Sequence, residues 1–454
     1  MKQITERTRT ISVLAETEVL VVGSGPGGLA AALAAAREGV ETMLVERYGC
    51  FGGAITQVGV EGIAWYRHEG TVEGGGIGAE FERLAEELGG AQRSPYAQGQ
   101  ALEAETFKCA ADRLIEEAGI VPLLHCLAVD ALMEGETIRG VLTESKSGRQ
   151  AILAKRVIDA TGDADVAYRA GTPCRQAPVG QRMGVTVMFS CAGVDRERFL
   201  EYVKEHPATY RDWGQNWGIE TSGKEDDLLT PYLEEPFARA RKEGLIPEGL
   251  SSLGGTFGTL TGAGEATFLN MIYMVGYDCT DVWDLTRAEM EGRRQALWAI
   301  EALKRYVPGF EEAKLRNFGL TLGTRDSRKI VGRYDLTGHD VRHQARFEDS
   351  IGIFPEFLDG YGLLILPTTG RYFQVPYRIL LPQNVENLLV AGRSVAGDKI
   401  SHTATRSMMC CTVTGQGAGV AAAIAVKTGR TPRTVSIESV QKSLVGQNVR
   451  LSHA

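Results

Sequence analysis

The chain has 454 residues, 43% hydrophobic and 23% charged, with 49 Lys+Arg against 57 Asp+Glu and a formal net charge of −8. That length suits about two or three domains with real cores, and an acidic balance without any long Lys/Arg run argues against a nucleic-acid partner. Residues 1–16 hold no apolar h-region and no apolar stretch reaches the roughly 18 residues of a membrane span, so a soluble cytoplasmic protein is expected.

The first element is the most informative. Thr17 and Glu18 lead into Val19-Leu20-Val21-Val22, and then into Gly23-Ser24-Gly25-Pro26-Gly27-Gly28 and an Ala-rich segment. A short apolar run, glycines at G-x-G-x-x-G spacing and strong helix formers read as strand, tight turn and helix. Gly23 allows the turn, Gly25 lets backbone approach a pyrophosphate, and Gly28 lets helix and strand pack closely. Pro26 and Gly27 open the helix, whose N-terminal N–H groups suit phosphate. A second run, Thr42 to Val45, ends in Glu46, an acid placed about 20 residues on to accept the two hydroxyls of an adenosine ribose. Arg47 follows it.

Next comes Gly49-Cys50-Phe51-Gly52-Gly53-Ala54, where a glycine pair strips the backbone again and suggests a second pass along an extended cofactor, flavin being the better choice. Gly59 to Gly78 reads as a loop whose Trp65, Tyr66, Arg67 and His68 edge a pocket. Residues 79–90 and 103–118 show helical periodicity. Ile120 to Leu124 reads as a strand, and Leu127 to Met133 with Thr137 to Ser145 as a meander, with Val129 taken as a cofactor contact. A last strand, Arg156 to Ala160, opens into Thr161-Gly162-Asp163, another small-residue corner at a sheet edge where nucleotides bind.

From Gly171 to about Asn384 the character changes. Strand-like Val185–Phe189 and Thr267–Met274, a Trp-bearing loop at Arg211–Gly218 and a helix over Asp284–Tyr306 mark an inserted substrate domain. That helix reads as starting on a Thr286/Glu289 capping box and burying Met290, Leu297, Ile300 and Leu303. Asn387 to Arg393 is again an apolar strand ending in glycine, with Gly392 and Arg393 at the cofactor. Arg406 to Lys427 reads as a helix with Met408 in its first turn. Gly415, Gly417, Ala418 and Gly419 bare one side of it for packing against the first helix or the cofactor. The expected division is 1–170 and 385–430 for the nucleotide-binding domain, 171–384 for the insert and 431–454 for a tail.

Taken together, the glycine fingerprint, Glu46 with Gly52-Gly53, Ala160-Thr161-Gly162-Asp163, Arg325-Asp326-Ser327-Arg328, and Asn387–Arg393 with Thr414-Gly415-Gln416-Gly417-Ala418-Gly419 resemble the FAD-dependent oxidoreductases related to the flavoprotein of fumarate reductase and succinate dehydrogenase. The resemblance implies an α/β fold, a split Rossmann-type (glutathione-reductase-like) FAD-binding domain with an inserted α+β substrate domain closing over the isoalloxazine ring. Two departures stand out. No His precedes the glycine pair to carry flavin covalently, Cys50 being the nearest nucleophile, and the Arg and His set that grips a dicarboxylate is missing.

A flavin supplies the redox chemistry, and the protein positions substrate and handles a proton. The loop Lys399–Arg406 should lie against the ring, which makes His402 the candidate acid/base and Arg406 a candidate anion binder. Arg371, Tyr372 and Tyr377 are placed on the other wall. His339 and His343 stand four apart behind Thr337 with Asp340 capping, and no metal is expected. Eight cysteines without C-x-x-C spacing fit reduced thiols, and vicinal Cys410-Cys411 on a helix point apart. The reading that results is hydride transfer between a small organic substrate and flavin N5. The alternatives are a flavin monooxygenase, or an FAD-binding non-catalytic or tRNA-modifying protein. Expected partners are a small-molecule substrate, with room for a homo-oligomer.

Overall fold

The computed structural model describes residues 4–5, 8–62, 71–93, 100–206, 217–221, 233–250 and 253–453. The segment Trp65–His68, read above as edging a pocket, and most of the Trp-bearing Arg211–Gly218 loop lie outside the described residues.

Strand β1 (Val13–Val22) is exposed at its start and buried through Val19–Val22, as a run of β-branched and Leu residues inside a parallel sheet should be. Helix α1 (Pro26–Arg37) begins directly after the turn with Gly25 as N-cap and Pro26 in its first turn, and no side chain caps it. β1 pairs in parallel with β2 (Thr42–Val45), which pairs in parallel with β3 (Val121–Leu123). The meander follows as β4 (Leu127–Glu134), β5 (Thr137–Ser145) and β6 (Gly148–Asp159), all antiparallel to their chain neighbours. β6 is longer than its sequence signal, because Gly148–Leu153 complete the meander while Ala151–Asp159 run parallel beside β1.

A separate core gathers Val185 to Leu322 around a small antiparallel sheet of Thr259–Leu260, Glu265–Leu269, Phe189–Ala192 and Lys314–Phe318. Against it lies α2 (Val282–Tyr306), which starts on Asp281, whose side chain accepts the N–H groups of Trp283 and Asp284. The Thr286/Glu289 cap is therefore displaced, and Thr286 bonds the Val282 carbonyl from inside the helix at 2.8 Å. The buried face is only partly the one read above: Ile300 and Leu303 are buried as expected, but the other two are not. Met290 and Leu297 are 58% and 54% exposed, while Ala288, Gly292, Ala296 and Ala299 face the core. Close approach explains this, since a methyl on Gly292 would stand 2.2 Å from Val187 Cγ2. Apolar side chains from Ile330 to Leu381, read above as part of the insert, pack in the first core instead.

The chain returns as β7 (Leu388–Val390), which pairs in parallel with the end of β6. The resulting order is β3-β2-β1-β6-β5-β4, with β7 on β6. Lys399–Arg406 is not a loop: Asp398 caps a short helix α3 (Lys399–Thr405), which precedes α4 (Met408–Thr428). Gly415 and Gly419 let α4 meet α1 backbone to backbone. A Cβ on Gly415 would stand 2.0 Å from Gly27 O, and one on Gly419 2.2 Å from Ala31 O. Gly417 faces Ile351 on the other side. α4 is long and apolar enough to cross a membrane by composition, and 89% of that stretch is buried inside the fold.

Candidate functional site

Bare backbone from four parts of the chain meets along one cavity of about 440 Å³. Gly23 (φ +95°) turns the chain so tightly that a Cβ there would strike Ala160 O at 2.5 Å, and Gly28 touches the Gly23 carbonyl in the same way. Gly53 lies on Gly25, where a Cβ would come within 2.4 Å of Gly25 Cα, and Gly27 lies on Gly392. Side chains at these positions would push the converging segments apart. Gly25 and Gly392 are different, because a methyl there would meet nothing closer than 4.0 Å and would project into open space.

Of the residues singled out in the sequence, Gly23, Gly25, Pro26, Gly27, Glu46, Arg47, Gly53 and Ala54 line the cavity, as do Ala160, Thr161, Gly162, Gly392, Arg393, Arg406 and Met408. Glu46 is buried and held: Oε2 accepts from Ser24 N–H and Oγ–H (3.0 and 2.6 Å), and Oε1 from Tyr48 N–H (2.9 Å). Arg47 covers the Tyr48 ring at 4.8 Å. Thr161 is fixed by Asp159 Oδ1, and Arg393 by Asp163 Oδ1 at 2.8 Å, which Ser327 Oγ also approaches at 2.6 Å.

Besides His402, six residues stand elsewhere. Gly28 serves helix-strand packing, and Gly52 serves a turn in which its N–H donates to Ser24 O at 3.0 Å. Val129 is the extra residue of a β-bulge between Ala128 and Asp130, so Ala128 reaches the cavity in its place. Arg371 is ion-paired with Glu356 and donates to Arg342 O at 2.8 Å, away from the cavity. Tyr377 is buried with its hydroxyl donating to Pro432 O at 2.7 Å, and burial pushes that phenol up. Tyr372 is buried as well.

His402 is 1% exposed and does not line the cavity. Its Nε2 stands 3.0 Å from the Arg325 carbonyl, which makes Nε2–H the donor, and Nδ1 is buried without a partner. Burial first, then the neighbouring Lys329 ammonium, hold its pKa well below the ordinary value. Behind the wall, this histidine holds the Arg325 peptide. Beside it Lys329 Nζ meets Asp326 Oδ1 at 2.6 Å and Tyr361 OH donates to Asp326 Oδ2.

The second core supplies the opposite wall, which the sequence did not reveal. Thr186, Met188, Phe257, Phe268, Asn270 and Thr321 to Arg325 line it, joined by Asp359 and Arg406. Arg325 was quoted above only as part of a motif. Two helix N-termini, α1 and α4, have no side-chain cap, and both contribute their first residues to the cavity.

Residues 18–444 match the family model for FAD-dependent oxidoreductases. The chain belongs to that family. Curated relatives of this oxidoreductase include the thiamine thiazole synthase of Methanococcus vannielii, 31% identical over 171 residues, 34% of this chain and 59% of that protein. Another is digeranylgeranylglycerophospholipid reductase 2 of Methanopyrus kandleri, 30% identical over 192 residues, 40% of this chain and 46% of that one. The chain thus spans about half the length of the curated relatives it matches. Among solved structures, a myxobacterial chondrochloren halogenase is 13% identical, covering 95% of this chain and 78% of its own with a TM-score of 0.50, a likeness of fold alone.

The cofactor of the oxidoreductase is FAD. The cavity fits it on its own terms: uncapped helix N-termini attract phosphate and other electron-rich groups, Glu46 accepts hydroxyl donors, and Gly25 and Gly392 leave room that a methyl would fill. Cys50 is buried off the cavity with Sγ 3.8 Å from Thr56 Oγ1, so it offers no thioether to the cofactor.

Proposed function

We propose that this oxidoreductase moves a hydride between a small organic substrate and flavin N5. In this reading the Gly23–Gly28 turn and the start of α1 hold the pyrophosphate, Glu46 holds the ribose, and Gly53, Ala54, Gly162, Gly392, Arg393 and Met408 line the rest of the cofactor's path. FAD, when bound, supplies a two-electron acceptor or donor.

The supporting observation is the composition of the wall built by the second core. It is aromatic and aliphatic, with Asn270, Arg325 and the hydroxyls of Thr186, Thr256, Thr321 and Thr324 as its polar groups and with Arg406 and Asp359 beside it, which suits a small organic molecule. Asp359 is the carboxylate of this wall, held by Arg406 Nη2 at 2.8 Å. It takes the proton-handling role first given to His402. Arg406 orients it, and a carboxylate that accepts the substrate's proton as the hydride leaves has to be held in place.

The test is anaerobic mixing of purified protein with alcohols, amines, 2-hydroxy acids and enoates, following the flavin absorption band. Bleaching by one class, or reoxidation of pre-reduced protein by the enoates, supports the reading. A flavin that only NAD(P)H reduces, with oxygen then inserted into the organic molecule, would replace it with a monooxygenase.

A further inference from the structure

The cavity wall carries a cation that no acidic group of the described residues pairs with. Arg325 Nη1 donates to Gly184 O at 3.1 Å and Nη2 to Asn270 Oδ1 at 3.0 Å, and its guanidinium lies 5.3 Å from the Tyr273 ring centroid. All three neighbours are uncharged, and two of the five N–H donors are spent. Asp359 acts on it only from a distance, because that carboxylate is bound to Arg406. Arg406 itself keeps Nε buried and without a partner. Burial, with Arg406 close by, draws the Arg325 pKa down to about 10, which leaves the group charged at neutral pH.

The stem of Arg325 is rigid. His402 takes hold of its carbonyl, and the next residue, Asp326, is pinned by Lys329 and Tyr361. A buried charge without a counter-charge is costly, and a rigidly held one facing a cavity invites the ligand to bring the counter-charge. The same cavity is lined by Phe257, Phe268, Phe354 and Phe357. Phe268 sits at φ +54°, a backbone region unfavourable for a bulky residue. Gly62 and Gly258 make the space it occupies, since a Cβ on Gly258 would stand 2.2 Å from Phe268 Cδ1. Strain and two glycines are spent on holding one ring at the cavity.

We infer that the substrate is a carboxylate with an apolar body, its carboxylate taken by Arg325 and its body packed against Phe268 and the neighbouring rings. This rests on the oxidoreductase reading above and adds the substrate class to it.

The experiment titrates the flavin-loaded protein with benzoate and with its neutral isostere benzamide, following the flavin band. Benzoate should perturb the band saturably, and benzamide should bind at least about tenfold more weakly. Arg325→Gln should weaken benzoate roughly 30-fold or more while leaving benzamide binding and FAD content unchanged. Arg325→Lys, which keeps the charge without the fork, should stay within about tenfold of the parent. Equal binding of the two probes by the parent protein would overturn the inference without any variant. So would an Arg325→Gln protein that binds benzoate normally, or one that is purified without FAD, which would place Arg325 on the cofactor. A parent protein that never holds flavin sinks the oxidoreductase reading itself, and is thereby distinguished from a yellow protein indifferent to charge.

Discussion

Gly25→Ala separates folding from cofactor binding. Gly25 has φ −61° and ψ 177°, a conformation open to any L-residue, and its new methyl would find only Gly53 Cα, 4.0 Å away. The fold therefore loses little: exchanging glycine for alanine at an N-cap costs about 0.5–1 kcal/mol. The methyl projects into the cavity at the turn that opens α1, where the account puts the pyrophosphate. Overpacking there should cost the complex about 1–3 kcal/mol, which is roughly 5- to 150-fold in Kd. Urea unfolding of the apoprotein measures the first quantity, and titration of apoprotein with FAD by fluorescence quenching measures the second. An apoprotein of near-parental stability with a weakened Kd is expected. Unchanged FAD affinity would refute the placement of the turn against the cofactor.

Gly415→Ala should do the reverse and damage the scaffold, because its methyl would overlap Gly27 O. A destabilisation of about 2 kcal/mol in urea is expected, against little change or a small gain for Gly446→Ala, whose methyl meets nothing within 4 Å. Asp359→Asn should slow flavin reduction by about 10²-fold or more with FAD content intact, and an unchanged rate would remove Asp359 from proton handling. Tyr377→Phe should cost about 1–2 kcal/mol through the lost bond to Pro432 O and leave flavin reduction untouched, which stopped-flow rates check. His402 is neutral in the folded protein and has a depressed pKa, so below pH 6.5 the unfolded chain binds a proton that the native one refuses. Its contribution is intact above that pH and falls by about 1.4 kcal/mol per pH unit as acid is added. Urea unfolding at pH 7.5 and 5.5 should show that loss, and His402→Gln should shrink it.

The strand-turn-helix at Val19–Leu33 and the acid at Glu46 were legible in the sequence, because glycines there answer to backbone contacts at fixed spacing, and those contacts are local or between neighbouring strands. The bare side of α4 was legible for a related reason: several glycines inside a helix are costly unless another backbone needs the room, and α1 does. Chemistry on the far wall was harder to see. Residue type pointed to His402, but a helix capped by Asp398 turns it away from the cavity and onto the Arg325 carbonyl. Asp359 is the middle residue of a three-residue strand, Leu358–Gly360, with no pattern around it, and its role depends on Arg406, distant in sequence. α2 misled because hydrophobicity marked Met290 and Leu297, whereas close packing on the sheet selects Ala288, Gly292 and Ala296. One inserted residue at Val129 was enough to exchange it for Ala128 at the cavity.

The most direct measurement is the absorption spectrum of the purified chain, with the chromophore released, identified by mass and counted per polypeptide. One FAD per chain is predicted, retained or readily taken up by apoprotein. A colourless protein that binds neither FAD nor its riboflavin-derived fragments would contradict the convergence of Gly25, Gly53, Gly162 and Gly392 on that cofactor.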